Sequence, residues 1–322
     1  MALSIDVLSS YPPVQEAEVD KVLAEEIRDN EKKIVVLDDD PTGVQTVHDI
    51  SVYTNWEKAS IEQGFAEENK LFYILTNSRG FTAAQTEKAH KEIAEVVDQV
   101  AKETGKEYLF ISRSDSTLRG HYPLETTILK DEYEKNTGKK IDGEVLCPFF
   151  KEGGRFTIDD VHYVQYDDTL VPAAETEFAK DKTFGYTVSN LKEYVEEKTQ
   201  GAYKKENVTA ISLENIRELN YDKIEEQLLA VEDFNKVIVN AIDYVDVKIF
   251  CVALFRAMKK GKNFMFRTAA AIVKVMGGVS DQPLLTREKM VVKETDNGGI
   301  IVVGSHTDKT TRQMEKLREN KD

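Results

Sequence analysis

The chain has 322 residues, 41% of them apolar, with 58 acidic against 43 basic side chains and a formal net charge of -15. That length and apolar share allow one large domain plus something extra, while the negative charge argues against nucleic acid or an anionic membrane as main partner, since both need a basic face. Two cysteines, Cys147 and Cys251, outside any C-x-x-C pattern, rule out a disulfide framework and fit a reducing, cytoplasmic setting.

Residues 1–13 lack the basic and apolar regions of a signal peptide. The most apolar later stretches, 249–258 and 264–275, carry Arg256, Arg267 and Lys274 and fall short of the roughly 20 residues of a spanning helix. No membrane segment is expected.

Val14, Val19, Val22, Leu23 and Ile27 recur at helical spacing, which predicts an amphipathic surface helix over 14–28. Residues 34–37 are then continuously apolar, as in a strand covered on both faces, and stop on Asp38, Asp39 and Asp40 before the breakers Pro41 and Gly43. Three adjacent like charges repel, so a plain solvated turn does not need them. At a strand end they suit binding a cation, orienting a hydroxyl or taking its proton.

Strands are predicted at 50–53, 71–75, 108–111, 144–147, 208–211 and 236–239. A polar helix following Trp56 reaches towards Asn69, and Thr82 with Gln85 forms a capping-box signature for a helix to about Glu103. Residues 156–178 are polar and read as a loop-rich excursion in which His162 is structural. Arg267 is expected inside an apolar helical run, placed equally well to pair with a buried carboxylate or to reach the ligand edge; Gly277 and Gly278 close that run.

The alternation predicts a mainly parallel, Rossmann-like α/β sheet with flanking helices, plus the start of a second α/β domain. Right-handed crossovers bring the strand ends to one edge, which collects Asp38 to Asp40, Asn77 to Arg79, Arg113 to His121, and Gly154 with Arg155. Guanidinium groups meeting carboxylates and hydroxyls describe a pocket for a small hydroxylated anion. A single arginine there is as readily a surface ion pair worth about 0 to 1 kcal/mol; repetition at successive strand ends carries the functional reading. A final strand at 300–303 leads into Gly304, Ser305, and Lys309 with Thr310, a turn suited to phosphate but not a Walker A motif, because Asp308 replaces the glycine before the lysine.

Leu37 to His48, Thr76 to Arg79, Arg113 to His121, Gly154-Arg155, Phe266 to Ala270, and Val303 through Thr311, in this order, resemble the four-carbon acid sugar kinases. The resemblance implies an acid-sugar-binding N-terminal domain over 1–280, a linker at 281–298, and at 299–322 the beginning of a nucleotide-binding C-terminal domain, cut short relative to the family. It implies ATP and Mg²⁺ as cofactors and threonate, erythronate or 3-oxo-tetronate as substrate. Carried over by position, Asp38 and Asp39 match the acidic turn, and Arg79, Asp115, Arg119 and Arg155 match polar positions of the substrate domain. The resemblance does not fix the base, for which Asp38 and Asp115 are the candidate catalytic residues, while Asp39, Arg79, Arg119, Gly154 and Arg155 are expected to bind substrate, Ser305 lies near the nucleotide, and no metal ligand is assigned. The partners are a sugar acid and a nucleotide, and no motif decides between a monomer and a homo-oligomer.

Two other readings share these residues. A phosphatase of the haloacid dehalogenase type needs Asp-x-Asp-x-Thr, which Asp38, Asp40 and Thr42 satisfy, with Thr76 or Ser78 after the next strand. A sugar-acid-binding module without catalysis is the third.

Overall fold

In the computed structural model of the chain, residues 1–42, 44–291, 293, 295–305 and 308–319 are described, with no side-chain statement for Asp308 and Lys309. Two compact units divide it, Met1–Ser280 and Asp281–Asp322.

The strands of the first unit are β1 Leu3–Ser4, β2 Lys33–Asp38, β3 Val52–Tyr53, β4 Leu71–Leu75, β5 Tyr108–Arg113, β6 Gly143–Cys147, β7 Arg155–Ile158, β8 Val161–Tyr166, β9 Thr169–Pro172, β10 Thr209–Ile211, β11 Asn235–Val239 and β12 Phe264–Thr268. Its helices are α1 Glu16–Asp29, α2 Lys58–Ala66, α3 Ala83–Thr104, α4 Leu124–Thr137, α5 Leu191–Lys198, α6 Leu213–Arg217, α7 Tyr221–Leu229, α8 Tyr244–Lys259 and α9 Ala270–Met276.

Eight strands form one sheet in the order β10-β11-β6-β12-β5-β2-β4-β3, and every pair in it is parallel. Its two faces are read directly from alternate side chains. In β2, Ile34 and Val36 join Val19 and Leu23 of α1 and the apolar side of α8, while Val35 and Leu37 join Ile61 of α2, Ile93 and Val97 of α3 and Leu129 of α4. A strand buried on both faces has no use for a polar alternate residue, which is why 34–37 is continuously apolar. At α2 the fit is close enough to demand a glycine: a Cβ on Gly64 would sit 2.7 Å from the Phe72 ring. Helix α3 starts with the predicted capping box of Thr82 and Gln85.

The first correction to the sequence reading lies at 156–178. Most of this stretch is not a loop: it supplies β7, β8 and β9, which with β1 from the start of the chain form a four-stranded antiparallel sheet, β1-β9-β8-β7. Its β7–β8 turn is made by Asp159 and Asp160, both left-handed at φ 47° and 66°, a tight hairpin turn that aspartate supports by tolerating that region. Thr157 and Ala241 exchange backbone hydrogen bonds at 3.0 and 3.1 Å and so dock this sheet beside the end of β11. The second correction concerns Arg267, which lies in β12 rather than in a helix; the helical run is α9 alone. Short, β-branched-poor Phe264–Thr268 gave no period by which to separate it from α9.

Among the described residues of the second unit there are two helices, α10 Arg287–Met290 and α11 Asp308–Glu319. The strand expected at 300–303 is not formed; Ile300 and Val302 are 91% and 88% exposed, and a lone four-residue segment has nothing to pair with among the described residues. Among the described residues no helix is long and apolar enough to cross a membrane.

Candidate functional site

Because the large sheet is parallel, the carboxyl ends of β2, β4, β5, β6 and β12 open onto one edge. The chain leaves β2 towards β3 and β4 on one side and returns to β5 on the other, so a crevice forms between β2 and β5 where ligands of open α/β sheets bind. Asp38 stands in register opposite Arg113 there.

Arg113 Nη1 donates to Asp38 Oδ1 at 2.9 Å, and its Nη2 to Gln45 Oε1 at 2.7 Å. The backbone N–H of Asp40 also reaches Asp38 Oδ1 at 3.2 Å. The other oxygen, Oδ2, is buried and has no hydrogen-bond partner. Burial pushes the Asp38 carboxyl up to about 6, against the pull of Arg113.

Asp39 is held differently. Arg79 grips it with Nη2 on Oδ1 at 2.6 Å and Nε on Oδ2 at 3.2 Å, and extends Nη1 to Asp40 Oδ2 at 2.6 Å. Burial, and beyond Arg79 the neighbouring Glu125 carboxylate, raise Asp39. Burial alone would lower Arg79, but Asp39 and Asp115 hold its guanidinium firmly charged. Gly120 closes over this pair at φ 115°, where a Cβ would come within 3.0 Å of Asp39 Oδ2 and 3.3 Å of Arg267 Nη2.

The loop after β5 carries Asp115 and Arg119. Asp115 Oδ2 accepts from Arg119 Nε at 2.6 Å and from the Thr117 hydroxyl. Burial is outweighed there by Arg79 and Arg119, which keep the Asp115 carboxyl well below the usual range. Four consecutive carbonyls fix this loop from four directions: Ser116 accepts from His162 Nε2 at 2.7 Å, Thr117 from the Tyr186 hydroxyl at 2.8 Å, Leu118 from the Tyr194 hydroxyl at 2.8 Å, and Arg119 from Arg267 Nη2 at 2.6 Å. His162 is thus structural, as read from the sequence. Its Nδ1 accepts from Thr157 Oγ1 at 2.9 Å, and burial lowers its pKa to about 4.

Arg155 starts β7 and points its Nη1 at the Gly153 carbonyl, with Nε buried and unpartnered. Arg119 and Arg155 lie 5.1 and 5.3 Å from the centroid of the same ring, Phe178, a cation–π arrangement that holds both guanidinium planes. Among the described residues neither Arg155 nor Arg267 has a carboxylate at ion-pair distance, whereas Arg79, Arg113 and Arg119 each do. Arg267 lines a cavity of about 10 Å³ with Asp115, Pro148, Tyr194 and Thr268, and the Thr268 hydroxyl is buried without a partner.

The structure therefore gathers Asp38, Asp39, Arg79, Asp115, Arg119 and Arg155 at one edge. Gly154 is adjacent but serves the turn, at φ 70° with its N–H donating to the Lys151 carbonyl at 2.9 Å. Ser305 belongs to the second unit, where Thr310 Oγ1 lies 2.9 Å from its hydroxyl. Gly43, His306 and Thr307, and the side chains of Asp308 and Lys309, lie outside the described residues. The sequence reading missed Glu125, His90, Gln45, Tyr186 and Tyr194, and left Arg267 undecided. Thr76, which a phosphatase would use, engages the Asp38 carbonyl at 2.9 Å, and Ser78 engages Glu125 at 2.6 Å. Among the described residues no three His, Cys, Asp or Glu side chains are arranged to hold a metal ion; Asp39 and Asp40 both face Arg79, so the donor set fits no preformed Mg²⁺ site.

Residues 34–276 match the family model described as "Sugar-binding N-terminal domain". No curated protein matches the chain in sequence. A domain of unknown function (DUF1537) from Bordetella bronchiseptica, solved with bound citrate as a domain-swapped dimer, is similar with TM-score 0.54 and 18% identity, over 76% of this chain and 55% of that one. A Haemophilus influenzae protein of the DUF1537 family is similar with TM-score 0.52 and 17% identity, over 88% of this chain and 65% of that one. At such identities the likeness carries the fold alone, and the chain spans 55% and 65% of the length of these two proteins.

Proposed function

This chain belongs to the sugar-binding N-terminal domain family, and we propose that its strand-end edge binds a small hydroxylated carboxylic acid, as the acid-binding part of a kinase for four-carbon sugar acids. The observation that carries this reading is that Arg155 and Arg267, two guanidinium groups at the edge, have no carboxylate at ion-pair distance among the described residues. A bound carboxylate would supply the missing counter-charge through a planar, bidentate contact. Asp115 and the unpartnered Thr268 hydroxyl lie beside Arg267 around a space with room for one water, and suit a single hydroxyl of the acid at its rim. The citrate in the Bordetella structure is an acid of this kind.

Within this reading Asp38 is the better base for the reacting hydroxyl. Its Oδ2 is unpartnered and its carboxyl is raised to about 6, near the range a general base needs. Asp115, engaged by Arg119 and Thr117 and held low, orients rather than abstracts. ATP with Mg²⁺ would supply the phosphoryl group; the part of this chain assigned to it is the turn at Ser305.

Thermal shift on this chain against threonate, erythronate and 3-oxo-tetronate, each with and without ATP and Mg²⁺, tests the reading. Ligand at a hundred times its dissociation constant adds about 2.7 kcal/mol. Stabilisation by one acid supports the site; stabilisation by none of them rejects it. Stabilisation by an acid with no phosphoryl transfer in a coupled assay identifies a binding module.

A further inference from the structure

Behind the edge lies a buried charged group that the binding reading does not use. Glu125, in the first turn of α4, and His90 of α3 are each 1% exposed. His90 Nδ1 lies 2.9 Å from the Thr86 carbonyl of its own helix. A carbonyl only accepts, so Nδ1 carries a hydrogen. That leaves Nε2 facing Glu125 Oε1 at 3.8 Å. The same carboxylate accepts from Ser78 Oγ at 2.6 Å on Oε1 and from Ser112 Oγ at 3.4 Å on Oε2, and two hydroxyl donors favour its ionised form.

Burial lowers His90 and by itself favours the bare ring, while the Glu125 carboxylate pulls the other way; an ionised carboxylate facing a bare imidazole lone pair in a buried site is repulsive, and a proton between them removes the repulsion. We propose that His90 and Glu125 hold one proton between them, beneath Asp39, and that this positioning pair sets how strongly the edge attracts an anion.

The charged groups around the pair come from every neighbouring element. Glu125 acts on Asp39, at the end of β2, and Arg267 of β12 acts on both carboxylates. His121, in the loop after β5, faces both members, with its Nε2 2.9 Å from the Phe81 carbonyl. With its proton the pair is neutral. Without it a full negative charge sits behind Asp39 and beside Arg267, opposing any bound carboxylate and drawing on the guanidinium meant for it. The acid should therefore bind more weakly above the pair's midpoint.

This inference rests on the acid-binding reading, and the test separates the two. Ring-nitrogen NMR of the five histidines, with His90 assigned by H90Q, follows Nε2 from pH 5 to 9; the ¹³C shift of the Glu125 carboxyl is followed alongside. Calorimetry with threonate, ionised throughout this range, gives affinity over the same pH values. We expect His90 and Glu125 to shift at one shared midpoint, and threonate affinity to fall above it by up to tenfold per pH unit, the limit for one linked proton. In Glu125→Gln the step in both readouts should vanish, whereas H90Q should bind weakly at every pH. A His90 ring unchanged across the range, or a step that persists in Glu125→Gln, overturns the inference. If H90Q does not fold, the His90 ring is assigned through its protons' nuclear Overhauser contacts in the wild type, and the wild-type midpoints then decide it. A shared midpoint with no threonate binding at any pH supports the pair and rejects the acid as ligand.

Discussion

Asp38 and Arg113 face each other in register across β2 and β5, joined through one carboxylate oxygen at 2.9 Å while the other oxygen has no partner. Arg113 thus orients the acid without occupying it. In an assay supplying threonate, ATP and Mg²⁺, Asp38→Asn should abolish turnover, by a factor of about 10² to 10⁴ as expected for a general base, and leave threonate affinity within a few-fold. Asp115→Asn should show the reverse, with the larger change in affinity. Equal effects of both on affinity alone would remove Asp38 from the chemistry.

Arg155 and Arg267 should each matter for binding the acid. A hydrogen bond to a charged group contributes about 1.5 to 3 kcal/mol, so Arg155→Ala or Arg267→Ala should raise the threonate Kd roughly 10- to 100-fold. Arg155→Lys should recover only part of this, because the ammonium cannot present a planar fork. Calorimetry reads it out, and unchanged affinity in both alanine variants would exclude the pair as the carboxylate receptor.

Gly120→Ala should damage the site more than the fold. The substitution forces a side chain into φ 115° and within 3.0 Å of Asp39 Oδ2, a conformation costing on the order of 1–3 kcal/mol. The Asp39–Arg79 clamp must shift to admit it. Threonate binding by the folded variant, measured by calorimetry, should be lost.

His162 gives a pH dependence whose sign is fixed by its burial. Its folded pKa, about 4, lies below the ordinary 6.5, so the unfolded chain takes up a proton first as pH falls. The stability this neutral histidine contributes is present above pH 6.5 and lost between there and about pH 4, at most about 3 kcal/mol by linkage. In urea denaturation, His162→Gln should remove this slope while its amide still donates to the Ser116 carbonyl. A wild type and variant with parallel pH profiles would contradict the assignment.

Lys236 and Glu144 form an ion pair at 2.7 Å with both side chains buried, and the ammonium stacks 3.4 Å from the Phe234 ring centroid. Removing one partner leaves a buried charge alone, which costs about 3–5 kcal/mol. Lys236→Met or Glu144→Leu should each fall in that range by urea denaturation, and the double variant should be more stable than either. A double variant as unstable as the sum of the two would show the pair does not interact as drawn.

Much of the large sheet was legible because each central strand is short, apolar and ended by a polar cluster. Leu71–Leu75 was found to the residue, and the capping box at Thr82 announced α3. The small sheet was not, because its turns are Asp-Asp pairs rather than Asn-Gly, and its strands carry buried Thr157 and His162 where alternation would want apolar residues. The acidic and basic residues of the edge were visible as clusters at strand ends. Which arginine pairs with which carboxylate was not, since Arg79 meeting Asp39 and Arg113 meeting Asp38 depend on β2 lying between β4 and β5, an order that local pattern does not encode. Glu125 and His90 look like ordinary residues of amphipathic helices; only the way α3 packs on α4 shows them facing each other.

The four donors that hold the loop at residues 116–119 are His162, Tyr186, Tyr194 and Arg267, and all lie later in the chain than the loop itself. During synthesis the loop therefore leaves the ribosome before any of these four donors. The last donor arrives with β12, whose Thr268 pairs beside Arg113. A nascent chain can therefore assemble β2, β4 and β5 and still present an unset strand-end edge, whose loop gains its fourth donor only when β12 enters between β5 and β6.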